Sequence, residues 1–278
     1  TLDIFQRDTK DMLGPGVDFP DFFGAAAPQT NNACMRNRGW ELSLNYRGQI
    51  GKDIQYTIAG SVSDATSEVT EYANPTGTNP KDNWYTGKKV GEIWGYRADG
   101  LIQTQAEADA YNKYDLSFIS GKPWTPGDVK YRDLNNDNKI NNGTNTLGDM
   151  GDMTVIGNTT PRYQYTVNGS ISWKGVTLSL LFQGIGKRDW DPGLATYFWG
   201  SSSYAQVTVF KEHLDYWSES NPNAYYPKPY IHTSGGVVPF RDKTMTTSDR
   251  YMQNAAYCRL KNLTVSYDLP AAWTNKIG

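Results

Sequence analysis

Between Gly39 and Ile50 the chain alternates without a fault. Trp40, Leu42, Leu44 and Tyr46 take one parity, and Glu41, Ser43, Asn45 and Arg47 the other. After Gly51-Lys52-Asp53 the pattern restarts, with Ile54, Tyr56, Ile58, Gly60 and Val62 set against Gln55, Thr57, Ala59, Ser61 and Ser63. Successive side chains of a strand point to opposite faces, so each run has one apolar face and one polar face. Aromatics stand at the ends of the apolar faces, and the polar faces carry full charges. A strand with lipid on one side and water on the other has this pattern. A second pair repeats it. Tyr163, Tyr165, Val167, Gly169, Ile171 and Trp173 oppose Gln164, Thr166, Asn168, Ser170 and Ser172; after Lys174-Gly175, Val176, Leu178, Leu180 and Phe182 resume the apolar parity.

Strands are therefore predicted at about 1–9, 39–50, 54–66, 162–174, 176–187 and 251–269, with loops at about 10–38, 67–161 and 189–250. The tight turns at 51–53 and 174–175 place every long loop at the opposite end of the strands, the asymmetry of outer-membrane barrels. Twelve residues at about 3.3 Å each, tilted near 45°, span roughly 25 Å, the height of a lipid-facing band. A soluble β-sandwich also alternates, but its strands run to about 5–6 residues over a core of aliphatics. Within the loops, 106–114 and 209–217 read as short amphipathic helices.

Composition narrows the function. A net charge of -2 over 278 residues gives no electrostatic case for nucleic acid. Only 38% of residues are hydrophobic, yet 13% are aromatic and the mean hydropathy is -0.64, which suits a β protein with wet faces and long polar loops. No apolar stretch approaches the roughly 18 residues of a membrane helix, so any span must be made of strands. Cys34 and Cys258 match no metal spacing and are expected to be two inert thiols. His213 lies beside Glu212 and Asp215 without a second nearby histidine, His232 being the only other, and is expected in solvent. No enzyme is expected. Asp189 and Asp191 have no apolar pocket to separate their pKa values, and no nucleophile-elbow, P-loop or dinucleotide motif is present.

Several segments resemble SusC/RagA-type TonB-dependent transporters of Bacteroidota. Asn37-Arg38-Gly39-Trp40-Glu41-Leu42 is similar to that family's N-K-G-W-E-L. The run from Gly95 to Ala108 resembles G-Y-x-x-D-G-I-F-Q-T-x-x-E-A, and the run from Gly127 to Ile140 resembles G-D-I-K-Y-x-D-L-N-G-D-G-K-I, with Asn136 and Asn138 in place of glycines. Asp152 to Gly157 is the counterpart of D-R-T-V-I-G. Asn158 to Tyr163, Tyr216 to Pro227 and Arg250 to Leu263 carry further matches. The resemblance implies an all-β chain, part of a 22-stranded antiparallel transmembrane barrel in the outer membrane, with about six long strands here and extracellular loops carrying short helices. It implies import of a glycan or oligopeptide nutrient, a SusD-like surface lipoprotein as partner, and TonB engaged through an N-terminal part, plug included, absent from this chain. The chain reads as the C-terminal barrel portion, starting inside one strand and stopping before the last ones. A soluble carbohydrate-binding module and a glycoside hydrolase fragment are the competing readings.

Asp133, Asn135 and Asp137 fall at positions 1, 3 and 5 of a calcium-type loop, with the Lys139 carbonyl at position 7 and Asn138 where a left-handed residue is needed. Asp152 is the family's closing carboxylate, and Asp149 the near alternative. A bound Ca²⁺ and an ion-free Asx-rich turn both fit this spacing. The loops also hold Trp84, Tyr85, Trp94, Tyr96, Trp124, Trp190, Tyr197, Phe198 and Trp199. Of these, Trp84, Tyr85, Trp94, Tyr96, Trp190 and Trp199 are candidates for stacking on a ligand, against the alternative that they pack the loops together.

Overall fold

The computed structural model describes residues 1–16, 24, 28–119, 123–200, 208–230, 243 and 245–270; His232 lies outside them. Two compact units are present. The first, residues 1–71, 160–189 and 254–278, is built on a six-stranded antiparallel sheet. Its strands are β1 (Leu2–Gly14), β2 (Thr30–Ile50), β3 (Ile54–Glu71), β4 (Arg162–Trp173), β5 (Val176–Lys187) and β6 (Tyr257–Tyr267), and they pair in chain order.

Register is what turns six separate alternations into two faces. Leu44 opposes Gly60, Gly60 opposes Val167, Val167 opposes Phe182 and Phe182 opposes Leu260. Two rows further along, Tyr56 is followed by Ile171, Leu178 and Val265. The intervening rows are polar: Arg47, Thr57, Ser170, Ser179 and Thr264 stand side by side. Phe5, Ala59, Leu181 and Ile185 are among the apolar exceptions on that face. Because directly paired residues share a face, a slip of one residue at any ladder would mix the two sets. The apolar rows lie open, Leu44 being 66% exposed. Two glycines sit beneath rings within them. A Cβ on Gly48 would come within 2.4 Å of the Tyr56 ring, and one on Gly184 within 2.3 Å of the Tyr165 ring, so each aromatic covers backbone that its neighbour leaves bare.

Three strand ends differ from the sequence pattern, for one physical reason. β2 begins at Thr30 rather than 39, β1 runs to Gly14, and β3 to Glu71. Alternation marks a strand only where one face is wholly apolar; beyond that level apolar residues such as Met12, Ala33, Met35 and Val69 are mixed with polar ones, and the ladder continues unmarked. The register shifts at Thr9/Met12, Met12/Leu13 and Cys34/Met35 all fall in this extension. β6 is shorter than predicted, starting at Tyr257, because Tyr251 closes a 3₁₀ turn and is buried in the second unit's core. Both cysteines are free.

The second unit comprises residues 72–159 and 190–253, inserted between β3 and β4 and between β5 and β6. Residues Glu92–Tyr96 pair with Met153–Asn158, and Ala98–Leu101 with Val129–Tyr131. Its core is largely aromatic and draws on both insertions. Tyr96, Tyr111, Trp124 and Tyr131 come from the first, and Trp199, Trp217, Met245 and Tyr251 from the second. The helix α1 spans Gln105–Tyr111, capped by Thr104, whose hydroxyl accepts from the Glu107 amide. It stops short of the predicted 114 because the Asn112 carboxamide bonds both backbone groups of Trp124, at 2.8 and 2.9 Å. The helix expected over 209–217 is only a 3₁₀ turn, Lys211–Leu214. There the Asp215 carboxylate takes up Asn221 and the Tyr225 amide, turning the chain so that Tyr216 bridges to Tyr226.

Candidate functional site

The calcium-type loop has the backbone of such a loop. Asn136 and Asn138 both adopt φ of 61°, a conformation asparagine tolerates better than most residues. The Asp133 carboxylate accepts from the amides of Asn136 and Asn138, at 2.6 and 2.9 Å, and Asp137 accepts from the Lys139 amide at 2.8 Å. Asp152 is fully buried and takes the amides of Leu134 and Asn141 at 2.6 and 3.0 Å. Burial raises its pKa first of all, and the charges of Asp133 and Asp137 push the same way. The oxygen chemistry therefore fits a hard cation. Among the described residues, however, no three His, Cys, Asp or Glu side chains gather as a metal-holding set. The turn is built, and the convergence of its carboxylates is not.

The stacking candidates divide by burial. Tyr85, Trp94, Tyr96 and Trp199 are buried in packed clusters, where their rings pack the loops together. Trp84 and Trp190 are half-buried; Trp190 stacks on the exposed Tyr197 at 6.3 Å and 10°, and Trp84 leans on Tyr72. His213, expected in solvent, is held instead between Phe198, whose carbonyl lies 3.1 Å from Nε2, and the Phe210 amide, which donates to Nδ1. Its ring packs edge-on against Tyr226.

Two features were not legible in the sequence. Lys243 and Asp128 form an ion pair at 2.6 Å, with both side chains fully buried. Lys243 also donates to the Pro123 carbonyl and lies over the rings of Trp124 and Tyr230, while Tyr230 donates to the other Asp128 oxygen. Burial pulls the lysine's pKa down, and the Asp128 charge opposes that pull. A lone lysine in a polar stretch reads as a solvated charge, so nothing in the pattern marks it. The other feature is the Tyr96 hydroxyl. The residue is 3% exposed, its ring packs against Tyr131, and its amide is held by the Thr247 carbonyl, yet the hydroxyl has no hydrogen-bond partner among the described residues. Leaving such a group unpaired costs about 1–3 kcal/mol. Burial, with the Asp152 charge in support, raises its pKa well above the ordinary range.

No family model matches the chain. It is similar to two curated proteins of Formosa agariphila. TonB-dependent receptor P3 is 23% identical, the match covering 100% of this chain and 26% of the receptor. TonB-dependent receptor P26 is 22% identical over 97% of this chain and 26% of its own length. The chain thus spans about a quarter of the curated relatives it matches. Among solved structures it is similar to the RagAB peptide transporter, with a TM-score of 0.64 and 21% identity over 98% of this chain and 27% of that one. The RagAB peptide importer in its open-open state gives a TM-score of 0.65, also at 21% identity, over 98% and 26%. The resemblance carried by the motifs is therefore borne out: in sequence the chain is similar to TonB-dependent receptors of a Bacteroidota, and its fold is similar to about a quarter of the RagAB transporter chain.

Proposed function

We propose that this chain supplies barrel wall and extracellular loops to an outer-membrane, TonB-dependent importer of a glycan or oligopeptide nutrient, working with a SusD-like surface lipoprotein. The observation that carries the reading is the register. Six strands in unbroken antiparallel order collect their apolar side chains into continuous rows, and these rows stand exposed. Such a face is stable against lipid and a liability in water. Strands are the only elements suited to crossing, since no helix among the described residues is long and apolar enough. A sandwich module would need a second layer over those same rows, and a hydrolase would need a carboxylate pair with separated pKa values.

TonB would act through a part of the protein outside this chain. Ca²⁺ would sit in the loop of Asp133, Asn135, Asp137, the Lys139 carbonyl and Asp152, drawing in carboxylates that now repel one another. The test is growth of a strain lacking the full gene on single glycans and single peptides, together with membrane fractionation of the product. A specific growth defect, with the protein in the outer membrane, is the expected outcome. A protein that fractionates as soluble, or growth unaffected on every nutrient that the parent strain uses, overturns the reading.

A further inference from the structure

The apolar face of the first unit ends at a groove. On that face Leu2, Leu42 and Val62 form one cross-strand row, Ile4, Trp40 and Asp64 the next, and Gln6, Arg38 and Thr66 the one after, each step moving toward the long loops. The face thus passes from aliphatic to aromatic to charged within three rows. A groove of about 460 Å³ lies across this border, running from Leu2, Ile4 and Trp40 to Arg38 and Thr66, with Asp64 and Arg162 also in its lining. Its charges are unequal. The buried Asp64 carboxylate is engaged twice by the Arg162 guanidinium and once more by the Tyr163 amide. Arg38 is exposed, and among the described residues its side chain makes a single hydrogen bond, from Nε to the Gln6 carboxamide at 2.8 Å. Both terminal amines of that guanidinium are left to a ligand. Arg38 and Arg162 against Asp64 give the lining one net positive charge, and the open part of it stands at the loop end, two residues beyond Trp40.

We propose that this groove seats one anionic membrane lipid. An acyl chain lies along Leu2, Ile4 and Trp40, and the headgroup phosphate meets the free amines of Arg38 and the Thr66 hydroxyl. A guanidinium offers a planar fork of donors that matches phosphate oxygens. An indole ring prefers the level where hydrocarbon gives way to headgroups, and register puts Trp40 at the level where the apolar rows give way to charge. The gradient along the groove selects its occupant. A free phosphate has no use for Leu2 and Ile4, and a lipid without net charge gains less from Arg38.

The site rests on the reading of the apolar rows as lipid-facing and adds a headgroup preference to it, so its test separates the two. Full-length receptor in detergent is titrated with dioleoyl-phosphatidylglycerol and, in parallel, with dioleoyl-phosphatidylcholine, and retained lipid is counted by native mass spectrometry. Tighter retention of the phosphatidylglycerol is expected. Arg38→Gln should weaken that retention about 5-fold, the worth of one basic side chain at an anionic lipid surface. Lys174→Gln, the same loss of charge at the tight-turn end of the strands, should leave it unchanged. Equal retention of the two lipids overturns the site, as does retention indifferent to Arg38→Gln or weakened as much by Lys174→Gln. Displacement of the lipid by an equal concentration of glycerol 3-phosphate overturns the lipid assignment, leaving a site for phosphate alone. Membrane fractionation reads the importer separately. An outer-membrane protein whose lipid retention ignores Arg38 sinks the site alone; a protein that fractionates as soluble sinks the importer reading.

Discussion

Lys243 stands 115 residues from Asp128 in sequence, yet the two meet as a fully buried pair. Such a pair is costly to break and not in itself a source of stability, because desolvation of both charges offsets their attraction. Lys243→Met should therefore destabilise the second unit by about 3–5 kcal/mol, whereas the double change Asp128→Leu with Lys243→Met should recover most of that loss. Native-state hydrogen exchange of the amides of residues 129–131 checks it; equal losses in the single and double variants would contradict the argument. At this scale the sequence was legible where chemistry is local. The left-handed Asn138 follows from its place in the Asp133 loop. It was illegible where the partner is distant: nothing near Tyr96 shows that its hydroxyl would be buried alone, or that Tyr85, Trp94 and Trp199 would be spent on packing.

Elements were legible as far as water and lipid differ. The rows through Leu44 and Tyr56 follow from parity, but the first part of β2, where Ala33 and Met35 fall among polar residues around a register shift, leaves no periodic trace. Adjacent residues of one strand therefore make a sharp comparison. Leu44→Arg should cost about 2–4 kcal/mol of folding stability in lipid vesicles if it lies near the bilayer midplane, while Asn45→Arg should be tolerated. Refolding into vesicles, followed by urea titration, measures both, and equal costs would sink the assignment of the two faces. The 133–152 loop makes a separate prediction. If calcium closes it, EDTA should speed proteolysis between Asp133 and Asp152, and Asp137→Asn should do the same without EDTA. A cleavage rate indifferent to both would leave an Asx-rich turn held by its own amides.

For the whole molecule, the informative feature is that the 72–159 and 190–253 insertions build one core. Trp199, Trp217, Met245 and Tyr251 pack with Tyr96, Trp124 and Tyr131, and Arg97 reaches Asp249 at 3.2 Å. In the sequence they read as two independent loops, because hydrophobic periodicity reports on short segments and not on which segments meet. Deleting residues 191–248 should therefore unfold 72–159 as well, making it as protease-sensitive as a free chain while β1–β6 still assemble. Resistance of 72–159 in that deletant would show that the first insertion folds alone.

The same shared core sets a rule for building hybrids. Exchanging either insertion alone with that of a relative would place a foreign aromatic set against a native one, at the packing density where even a methylene is felt. Specificity carried by these loops would have to be transplanted as a matched pair, and in any lineage the two segments would be inherited or replaced together.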